Sequence, residues 1–313
     1  MEPLLEIRHL SVSFSQYEKG VGKRKLQVIR DLSLTVRTGE IVVIAGASGS
    51  GKSLLAHGIM GLLPYNSHME GEILYDGSPL SPERAAGLRG KEISLIPQGA
   101  AYLDPLMKVG DQLRKGKKDA RTRRRCRAAL ARYGLTADTE KMYPFELSGG
   151  MARRVMIASA VVDRPRLIIA DEPTPGLDGR TAGRILGHFR ELADEGAGML
   201  FITHDLCQVL PIADKVEVFY AGETVEEAGG SDFQDARTLR HPYSRALWHA
   251  MPEHGFVPAP GTQPYAGDLG GGCVFAGQCQ KKEKDCTERD SIPLRQWKGG
   301  KVRCLYPEWE ENR

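Results

Sequence analysis

The stretch Ile41 to Leu55, IVVIAGASGSGKSLL, decides the fold. A short β-branched apolar run enters a glycine-rich loop, and the loop opens into an apolar segment with helical spacing. This order predicts a strand, a loop and a helix. The loop Gly46 to Ser53, GASGSGKS, fits the pattern G-x-x-x-x-G-K-[ST], in which backbone amides converge on phosphate oxygens at the positive end of a helix. The sequence therefore predicts a nucleotide-phosphate site at this loop.

The loop residues have distinct predicted roles. Lys52 is expected to reach the β- and γ-phosphates, and Ser53 is expected to bind Mg²⁺. The residues predicted to cradle the nucleotide are Gly46, Ser48, Gly49, Ser50, Gly51, Lys52 and Ser53.

Bulk properties narrow the class of protein. The 313 residues suffice for about two domains, and 43 Lys plus Arg against 40 Asp plus Glu leave a formal charge of +3. That bias is too weak to demand a nucleic-acid partner. No apolar run approaches the roughly 18 residues needed to cross a bilayer, and the first ten residues do not resemble a signal peptide. We expect a cytosolic chain that is at most peripherally bound to the membrane.

The residues before the loop predict an antiparallel β layer. Residues 4–14 alternate well enough for an edge strand, Leu32 to Val36 predicts a second strand, and Ser15 to Lys25 predicts an exposed loop. Phe14, with Tyr17 as second choice, is a candidate for stacking on a nucleobase. An ordinary core aromatic is an equally good interpretation.

Strands and helices alternate after the loop. The predicted strands are Gly71 to Tyr75, Lys91 to Ile96, Arg166 to Ala170 and Met199 to Thr203, and the predicted helices include 152–162 and 182–194. This alternation predicts a mainly parallel sheet, whose ligands bind at the carboxyl ends of the strands. The polar residues Ser53, Gln98, Asp171 and His204 follow such strands and are expected to converge there.

The region 99–146 is predicted to be helical and is strongly basic between Arg114 and Arg127. Such a run is typical of RNA or anionic-lipid binding, but also of a solvated helix face. No aromatic residues are interleaved with the charges to stack on bases.

Four of the six cysteines, Cys273, Cys279, Cys286 and Cys304, crowd into the last 41 residues. In a reducing compartment such clustering suggests a metal before disulfides. The gaps of five, six and 17 residues match neither paired zinc ligands nor the bacterial ferredoxin run. The spacing leaves an iron-sulfur cluster, zinc and free thiols open.

The motifs together resemble the ATP-binding subunits of ABC transporters over nearly the whole chain. The resemblance rests on the phosphate loop, Gln98, Leu147-Ser148-Gly149-Gly150, Asp171-Glu172, Asp178 and His204, in the order typical of that family. It implies an α/β fold: a P-loop ABC ATPase core, with a mainly parallel sheet, an antiparallel β layer and a helical insertion, plus a small Cys-rich C-terminal extension.

The resemblance also implies site roles. Mg²⁺ would be held by Ser53, Gln98 and Asp171, with Asp171 bound directly or in the second sphere and Gln98 also near the attacking water. Glu172 would be the general base or water positioner, and His204 would contact the γ-phosphate. Ser148, Gly149 and Gly150 would bind the γ-phosphate held by another subunit, so that one chain cannot complete a site.

Two positions depart from the usual pattern. Met151 stands where the family commonly has Gln, a variant found among its peptide and nickel importers. Pro175-Gly176 precedes Leu177-Asp178 where a serine or threonine and an alanine are usual. Because Asp178 is kept, we expect communication across a dimer at this loop.

The tail resembles the C-terminal extension of oligopeptide, dipeptide and nickel ABC importers. The resemblance is carried by HPYSRALWHAMP at 241–252, GCVFAGQC at 272–279 and the two later cysteines. Some members of that group carry a four-iron, four-sulfur cluster on these four cysteines; zinc stays the alternative. We place the boundary between an ABC domain, 1–252, and the Cys-rich extension, 253–313, in a Pro- and Gly-rich segment.

These motifs predict an ATPase subunit that uses ATP and Mg²⁺ to power import of peptides or of nickel or similar metal complexes. Its implied partners are a second ABC ATPase subunit, more readily a different chain than a copy, two membrane permeases and an extracytoplasmic substrate-binding protein. The expected location is the cytoplasmic face of the membrane, with no nucleic acid bound. The alternatives are a soluble ABC ATPase acting on nucleic acid or ribosomes, and an ATPase gated by an iron-sulfur redox sensor in the tail.

Overall fold

The computed structural model describes residues 2–17, 23–47, 49–259 and 261–307, without the side chains of residues 17, 23 and 100. Ser48 and the side chain of Tyr17, both named above, lie outside this description. The strands are β1 Pro3–Tyr17, β2 Lys23–Arg37, β3 Ile41–Ala45, β4 Ser67–Tyr75, β5 Ser78–Pro79, β6 Ile93–Ile96, β7 Leu167–Asp171, β8 Gly198–Thr203, β9 Lys215–Tyr220, β10 Glu223–Gly229, β11 Arg295–Trp297 and β12 Gly300–Val302. The α-helices are α1 Lys52–Ile59, α2 Pro82–Leu88, α3 Val109–Arg114, α4 Ala120–Arg132, α5 Gly149–Val161, α6 Gly179–Asp194, α7 Leu206–Val209, α8 Pro242–His249 and α9 Asp285–Glu288.

The parallel layer is built around β3. The strand β3 lies between β8 and β9 and is parallel to both, and β7 and β6 continue the layer beyond β8. Every residue of β3, β7 and β8 is buried, as expected for parallel strands covered on both faces. The predicted strands and helices of this layer are confirmed, and the phosphate loop follows its central strand.

The antiparallel layer is confirmed, but the predicted place of β1 at the edge of the layer is wrong. The strand β1 pairs with β2 on one side and with β4 on the other, and β5 lies outside β4. Alternation of apolar and polar residues reports that one face is buried; it does not report how many neighbours a strand has.

The predicted loop Ser15 to Lys25 is also wrong at both ends. Ser15 pairs with Lys25 and Gln16 with Arg24, so the two strands form one long hairpin. Polar side chains are compatible with a strand whose outer end reaches solvent, and composition alone does not distinguish that case from a loop.

Two hydrophobic cores lie on opposite faces of β3. Ile41, Val43 and Ala45 pack with α4, α5 and α6, whereas Val42 and Ile44 pack with α1 and the antiparallel layer. Opposite orientation of successive side chains along a strand explains this division. The phosphate loop therefore begins at a strand that is fixed from both sides.

The helical insertion predicted for 99–146 is confirmed as α3, α4 and short 3-10 turns at 100–102, 137–141 and 144–146. Five of the nine basic residues between Arg114 and Arg127 are engaged in ion pairs. Asp163 lies 3.0 Å from Lys115 and also pairs with Arg125, while Glu140 lies 3.1 Å from Arg127. Among the described residues, no helix is long and apolar enough to span a bilayer.

The tail adds strands to the sheet of the ATPase core. The strand β12 pairs with β10 and with β11, and Arg303 at its end donates to Asp31 of β2 at 2.9 Å. The strand β10 went unpredicted because its buried side chains include carboxylates: Glu226 is 0% exposed. Those carboxylates accept from backbone amides and arginines, which a hydrophobicity pattern cannot register.

Candidate functional site

A cavity of about 280 Å³ lies at the carboxyl ends of the central strands. Its lining includes the predicted residues Gly49, Gly51, Lys52, Ser53, Gln98, Asp171 and Glu172, together with Val28, Leu54 and Ile202. The structure therefore brings most of the sequence-predicted residues of one chain to one place. A wider groove of about 730 Å³ between α4, α5 and α6 contains none of these residues.

Lys52 is buried at the base of the loop, with 7% of its surface exposed. Its Nζ donates to the carbonyls of Gly46 and Ala47, each at 2.8 Å, and lies 3.4 Å from the hydroxyl of Ser50. Burial lowers the pKa of this ammonium, and the nearby carboxylates of Glu172 and Asp171 oppose the shift. The positive charge is thus held at the point where the loop amides converge.

Ser53 and Asp171 lie together in the lining of the cavity. Burial raises the pKa of Asp171, whereas the Ser53 hydroxyl lowers it. The Oδ1 atom of Asp171 is buried and has no hydrogen-bond partner among the described residues. A hydroxyl and an orphaned carboxylate oxygen are the hard oxygen donors that Mg²⁺ prefers, so these residues fit the ion that the family implies.

Glu172 follows β7 with a left-handed backbone, φ 49°, which is strained for a residue with a side chain. Its Oε1 accepts from the backbone amide of His204 at 3.1 Å and lies 2.6 Å from His204 Nδ1. Its Oε2 accepts from the hydroxyl of Thr203 at 3.4 Å. The predicted base and the predicted γ-phosphate contact therefore form one hydrogen-bonded pair, which the sequence did not predict.

Gln98 lines the cavity and is exposed, and its backbone is held by a residue that sequence reasoning missed. Arg153 of α5 donates to the carbonyls of Pro97 at 2.9 Å and of Gln98 at 2.5 Å. Since α5 begins at the Ser-Gly-Gly signature, this arginine joins the signature helix to the Gln98 loop. Two adjacent arginines in a helix give no sequence signal for such a role.

The signature residues Ser148, Gly149 and Gly150 lie apart from the cavity: none of them belongs to its lining within the described part of the chain. Ser148 and Gly149 are exposed, and the Ser148 hydroxyl caps α5 by accepting from the amide of Met151 at 3.3 Å. Asp178 likewise caps α6 by accepting from the amide of Thr181 at 2.9 Å. An exposed helix N-terminus is a ready anion site. Gly150 packs against the loop of Gly176 and Leu177, so the signature and the aspartate loop are neighbours.

Phe14 is half-buried on β1 and packs against the core below the antiparallel layer. Phe14 is not among the described residues that line the cavity around Lys52, whereas Val28 of β2 is. Stacking of Phe14 on a nucleobase stays a prediction, and Val28 is an apolar contact that sequence reasoning missed.

The four C-terminal cysteines line a second, small cavity of about 20 Å³, together with His241, Phe275 and Ile292. Burial raises the pKa of Cys273 to about 12 and that of Cys304 to about 11, and it also raises the pKa of Cys279. Thiolates in this apolar setting need a positive partner. Spacing alone did not predict that the four residues meet.

His241 supplies a polar group at this second cavity. Its Nδ1 accepts from the amide of Tyr243 at 3.1 Å, so the neutral ring carries its proton on Nε2. That Nε2 is buried without a partner among the described residues. Burial, with the nearby Arg303, lowers the pKa of His241 to about 3. An unused donor beside four thiols fits a sulfur-rich anionic group.

Within the described ranges, no three Cys, His, Asp or Glu residues have the geometry to hold a single metal ion. A tetrahedral zinc site needs sulfurs about 3.8 Å apart, given Zn–S bonds of about 2.3 Å. Four cysteine thiolates can hold either a zinc ion or an iron-sulfur cluster, so the donor set fits both of these groups.

Comparison with known proteins places the chain in a family. The family model "ABC transporter" matches residues 29–175, and the model "Oligopeptide/dipeptide transporter, C-terminal region" matches residues 225–286. The oligopeptide transport ATP-binding protein OppD of Salmonella typhimurium is 36% identical over 98% of this chain and 95% of its own length. The dipeptide transport ATP-binding protein DppD of Bacillus subtilis is 36% identical over 91% of this chain and 89% of its own length.

Solved structures give the same result for the fold. An ATP-binding cassette seen as a dimer with ADP and phosphate, after hydrolysis, superimposes with a TM-score of 0.63 at 26% identity. It covers 72% of this chain and 98% of its own length. With the phosphate loop, the paired carboxylates and the signature helix in place, the chain belongs to the ABC transporter ATPases, in the family of oligopeptide and dipeptide transport ATP-binding subunits.

Proposed function

We propose that this chain is the ATP-hydrolysing subunit of an importer for short peptides. The observation that carries the proposal is the convergence of Lys52, Ser53, Asp171 and Glu172 on one cavity. Peptides are preferred over nickel complexes because the relatives described above are oligopeptide and dipeptide transport proteins.

The loop residues would bind and orient the nucleotide. Lys52 is bonded to the carbonyls of its own loop, and β- and γ-phosphate oxygens are stronger acceptors for an ammonium than neutral carbonyls are. Ser53 and Asp171 would hold Mg²⁺, which supplies charge neutralisation at the phosphates. Val28 and Ile202 contribute apolar surface to the lining of the same cavity.

Glu172 would orient and deprotonate the attacking water. Its carboxylate is buried and is fixed by His204 and Thr203, so it cannot swing to solvent without losing those bonds. The His204 side chain is 56% exposed, which leaves its remaining edge available to a γ-phosphate at the open side of the cavity. The pair therefore supplies one acceptor for a proton and one donor for an anion.

A second ATPase subunit would complete the site. The exposed helix N-terminus at Ser148 lies outside the cavity of its own chain, and its free amides suit the phosphates held by a partner. We infer that the partner is a different chain. The transport ATP-binding proteins similar to this chain carry two different names, OppD and OppF, and the OppF protein of Haemophilus influenzae is 33% identical to it. The neighbouring Gly176 and Asp178 loop would then face the same interface.

A surface beside the Gln98 loop would dock the membrane permease. Leu106 is 86% exposed, Phe145 is 75% exposed and Tyr102 is 59% exposed. The backbone bond from Val109 to Met142 at 2.9 Å brings their two segments together. Exposed apolar side chains grouped in this way mark interaction sites. The chain would then sit at the cytoplasmic face of the membrane, held by its permeases, in a system that also includes an extracytoplasmic substrate-binding protein.

The cysteine cavity would hold a four-iron, four-sulfur cluster. Four thiols around one cavity and the unused His241 donor in the same lining support this assignment. The cluster would supply cross-linking of the extension and, if it changes redox state, an electrostatic signal. ATP hydrolysis itself needs no electrons.

The basic run gives the nucleic-acid alternative less support than its composition suggests, because Arg114, Lys115, Arg125 and Arg127 pair with Asp111, Asp163 and Glu140. The decisive experiment is co-purification with the neighbouring permease and ATPase chains, followed by ATP turnover in proteoliposomes. Short peptides with their binding protein should stimulate turnover. Stimulation by nickel complexes or by DNA, and none by peptides, would reject the proposal.

A further inference from the structure

A row of ionisable side chains crosses the junction between the ATPase core and the tail. Glu217 of β9 lies directly opposite Glu227 of β10, and Glu227 lies directly opposite Lys301 of β12. Residues opposite each other in antiparallel strands have Cβ atoms about 4.5–5.5 Å apart. Two carboxyl groups therefore lie side by side between the central sheet and the strand that the tail adds to it.

The two lysines of this row are not shared equally by the two glutamates. Lys301 donates to Oε2 of Glu227 at 3.0 Å. Lys215, on the same strand as Glu217, donates to the backbone carbonyl of Thr35 at 2.5 Å. Its Nζ is 3.9 Å from Oε1 of Glu217 and 3.9 Å from Oε2 of Glu227. Glu227 therefore has an ammonium group within hydrogen-bond distance, whereas Glu217 has its paired ammonium beyond that distance.

Glu217 is deeply buried and lacks hydrogen bonds. Only 2% of its surface is exposed, and neither carboxyl oxygen has a hydrogen-bond partner among the described residues. An ionised carboxylate in such a place loses its hydration and gains no hydrogen bond in return, which is strongly unfavourable. A protonated carboxyl group is neutral and carries one O–H donor, and the Glu227 carboxylate opposite it is an acceptor. The geometry therefore favours a proton on Glu217.

The elements on the other side of β9 do not change this balance. Glu40, in the turn before β3, is 3.7 Å from Nζ of Lys215 and also pairs with Arg37 at 3.6 Å. On β3 the residue in register with Glu217 is Ile44, which has no charge. Arg37 is thus paired with Glu40, and β3 places an uncharged side chain beside Glu217. The charge state of Glu217 is therefore decided within the row itself.

The pKa values of the two glutamates move in opposite directions. Burial raises the pKa of Glu217 well above its ordinary value, and the charge of Glu227 raises it further. Lys215 and Lys301 oppose this shift without cancelling it. At Glu227 burial also acts to raise the pKa, but the same two lysines prevail and lower it. This separation agrees with a single proton that is held by the pair and lies on Glu217.

We propose that Glu217 is protonated in the folded protein, and that loss of this proton weakens the junction between the ATPase core and the tail. With Glu217 ionised, two buried carboxylates lie opposite each other and repel. The repulsion acts on β10, whose Glu227 pairs with Lys301 of the tail. The junction is then intact while the proton is bound and loosens as the pH rises. This device depends neither on nucleotide nor on a transported substrate.

Urea unfolding of the full chain, at several pH values from about 5 to about 9, detects the proton. Above the ordinary pKa of a glutamate, the folded state binds more protons than the unfolded state. The unfolding equilibrium constant should therefore rise with pH, by up to about tenfold per pH unit, until the folded state loses the proton on Glu217. Glu217→Gln keeps the size of the side chain but has no proton to lose, so its rise should be smaller.

Other titrating groups are common to the wild type and the variant, and their effects cancel in this comparison. An identical dependence of unfolding on pH in the two proteins would overturn the proposal. If Glu217→Gln does not fold, Glu217→Met, which removes both the proton and the polar group, takes its place with the same expected result.

Infrared spectroscopy locates the proton directly. A protonated carboxyl group has a carbonyl stretching band that a carboxylate lacks. At about pH 6, where an ordinary glutamate is ionised, the band should be present in the wild type and reduced in Glu217→Gln. Lys301→Met removes a cation that favours ionisation, so the band should persist to higher pH, whereas Glu227→Gln removes a repelling charge and should shift its loss to lower pH. No difference between the wild type and Glu217→Gln would contradict the assignment.

Hydrogen exchange tests the effect on the junction. The backbone amide of Arg303, just after β12, donates to the carbonyl of Val225 in β10 at 2.8 Å, so its protection reports whether the tail stays paired. After correction for the intrinsic effect of pH on exchange, this protection should fall at alkaline pH more in the wild type than in Glu217→Gln. Equal loss of protection in both proteins would show that the proton does not hold the tail.

Discussion

His204 Nδ1 lies 2.6 Å from Oε1 of Glu172, and the His204 backbone amide donates to the same oxygen at 3.1 Å. Glu172 is 6% exposed and has a left-handed backbone. His204, at the end of β8, thus fixes the orientation of the Glu172 carboxylate at the end of the neighbouring strand β7. This relationship makes the two residues one functional unit, and their variants should not behave independently.

Replacing Glu172 by Gln should stop turnover and retain nucleotide. Loss of a general base corresponds to about a 10²- to 10⁴-fold fall in kcat, while the amide keeps the size of the side chain. The Kd for MgATP should change by less than about threefold. Steady-state phosphate release and equilibrium nucleotide binding check this prediction, and normal turnover would remove the role assigned to Glu172.

Replacing Asp171 by Asn should separate binding of the metal from binding of the nucleotide. The buried Oδ1 of Asp171 has no hydrogen-bond partner among the described residues and lies in the same cavity lining as Ser53, so Asp171 is the charged oxygen donor at the loop. We expect the Mg²⁺-dependent part of ATP affinity to fall at least tenfold, since a charged ligand is lost. Affinity measured in EDTA should hold or improve, because repulsion from the phosphates is relieved. Equal losses with and without Mg²⁺ would contradict the assignment.

Replacing Arg153 by Met should uncouple the Gln98 loop from the signature helix. The bonds to the carbonyls of Pro97 and Gln98 disappear, but no residue that lines the cavity is changed. MgATP affinity should therefore stay within about twofold of the wild type, while stimulation of turnover by the assembled permeases should drop severalfold. Arg153→Lys, which keeps one cationic donor group, should restore part of this stimulation. Full stimulation in Arg153→Met would exclude this connection.

Exposed apolar residues beside the Gln98 loop should be needed for assembly. Leu106→Ser with Phe145→Ser should abolish co-purification with the permeases and leave MgATP binding intact. Phe256→Ser serves as the control, because Phe256 is 72% exposed but lies in the tail rather than beside this loop. If the control and the double variant assemble equally well, the docking surface is elsewhere.

The free energy of unfolding should fall as the pH is lowered, because His188 has a lowered pKa in the folded state. Burial, with the nearby Arg132, lowers the pKa of His188 to about 4, and the ring is hydrogen-bonded to Tyr133. Because the folded state binds its proton less readily than the unfolded state, this contribution is present above pH 6.5 and is lost as the pH falls towards 4. The slope is at most about 1.4 kcal/mol per pH unit, and partial exposure reduces it.

Urea unfolding at several values between pH 7 and pH 4 measures this slope. The variant His188→Gln, which keeps a polar group beside Tyr133, should show a flatter dependence of the unfolding free energy on pH. A parallel dependence in the variant and the wild type would show that other groups carry the effect.

The parallel core could be predicted from the sequence because its strands are continuous apolar runs that end in polar residues. Ser53, Gln98, Asp171 and His204 were expected to converge. The first three line one cavity, whereas His204 is not in the lining and is joined to it through its bond to Glu172. The place of β1 inside the antiparallel layer could not be predicted, because pairing on a second edge leaves no mark in an alternating pattern.

The later strands and the links between sites were missed for a different reason. Glu226 in β10 is a buried charge that is satisfied by Arg240 and by backbone amides from a distant segment. The contact of Arg153 with the carbonyl of Gln98 joins residues 55 positions apart in the sequence. Local propensity carries no information on such pairs, which are decided by tertiary packing.

The central claim is that the phosphate loop binds MgATP and that Lys52 supplies the positive charge of this loop. Isothermal titration of the purified chain with MgATP measures it most directly, with Lys52→Ala compared with the wild type. We predict saturable binding of one nucleotide per chain, weakened at least tenfold in the variant, because a charge-assisted bond to phosphate is lost. Equal affinity in the two proteins, or no binding in either, would contradict the account.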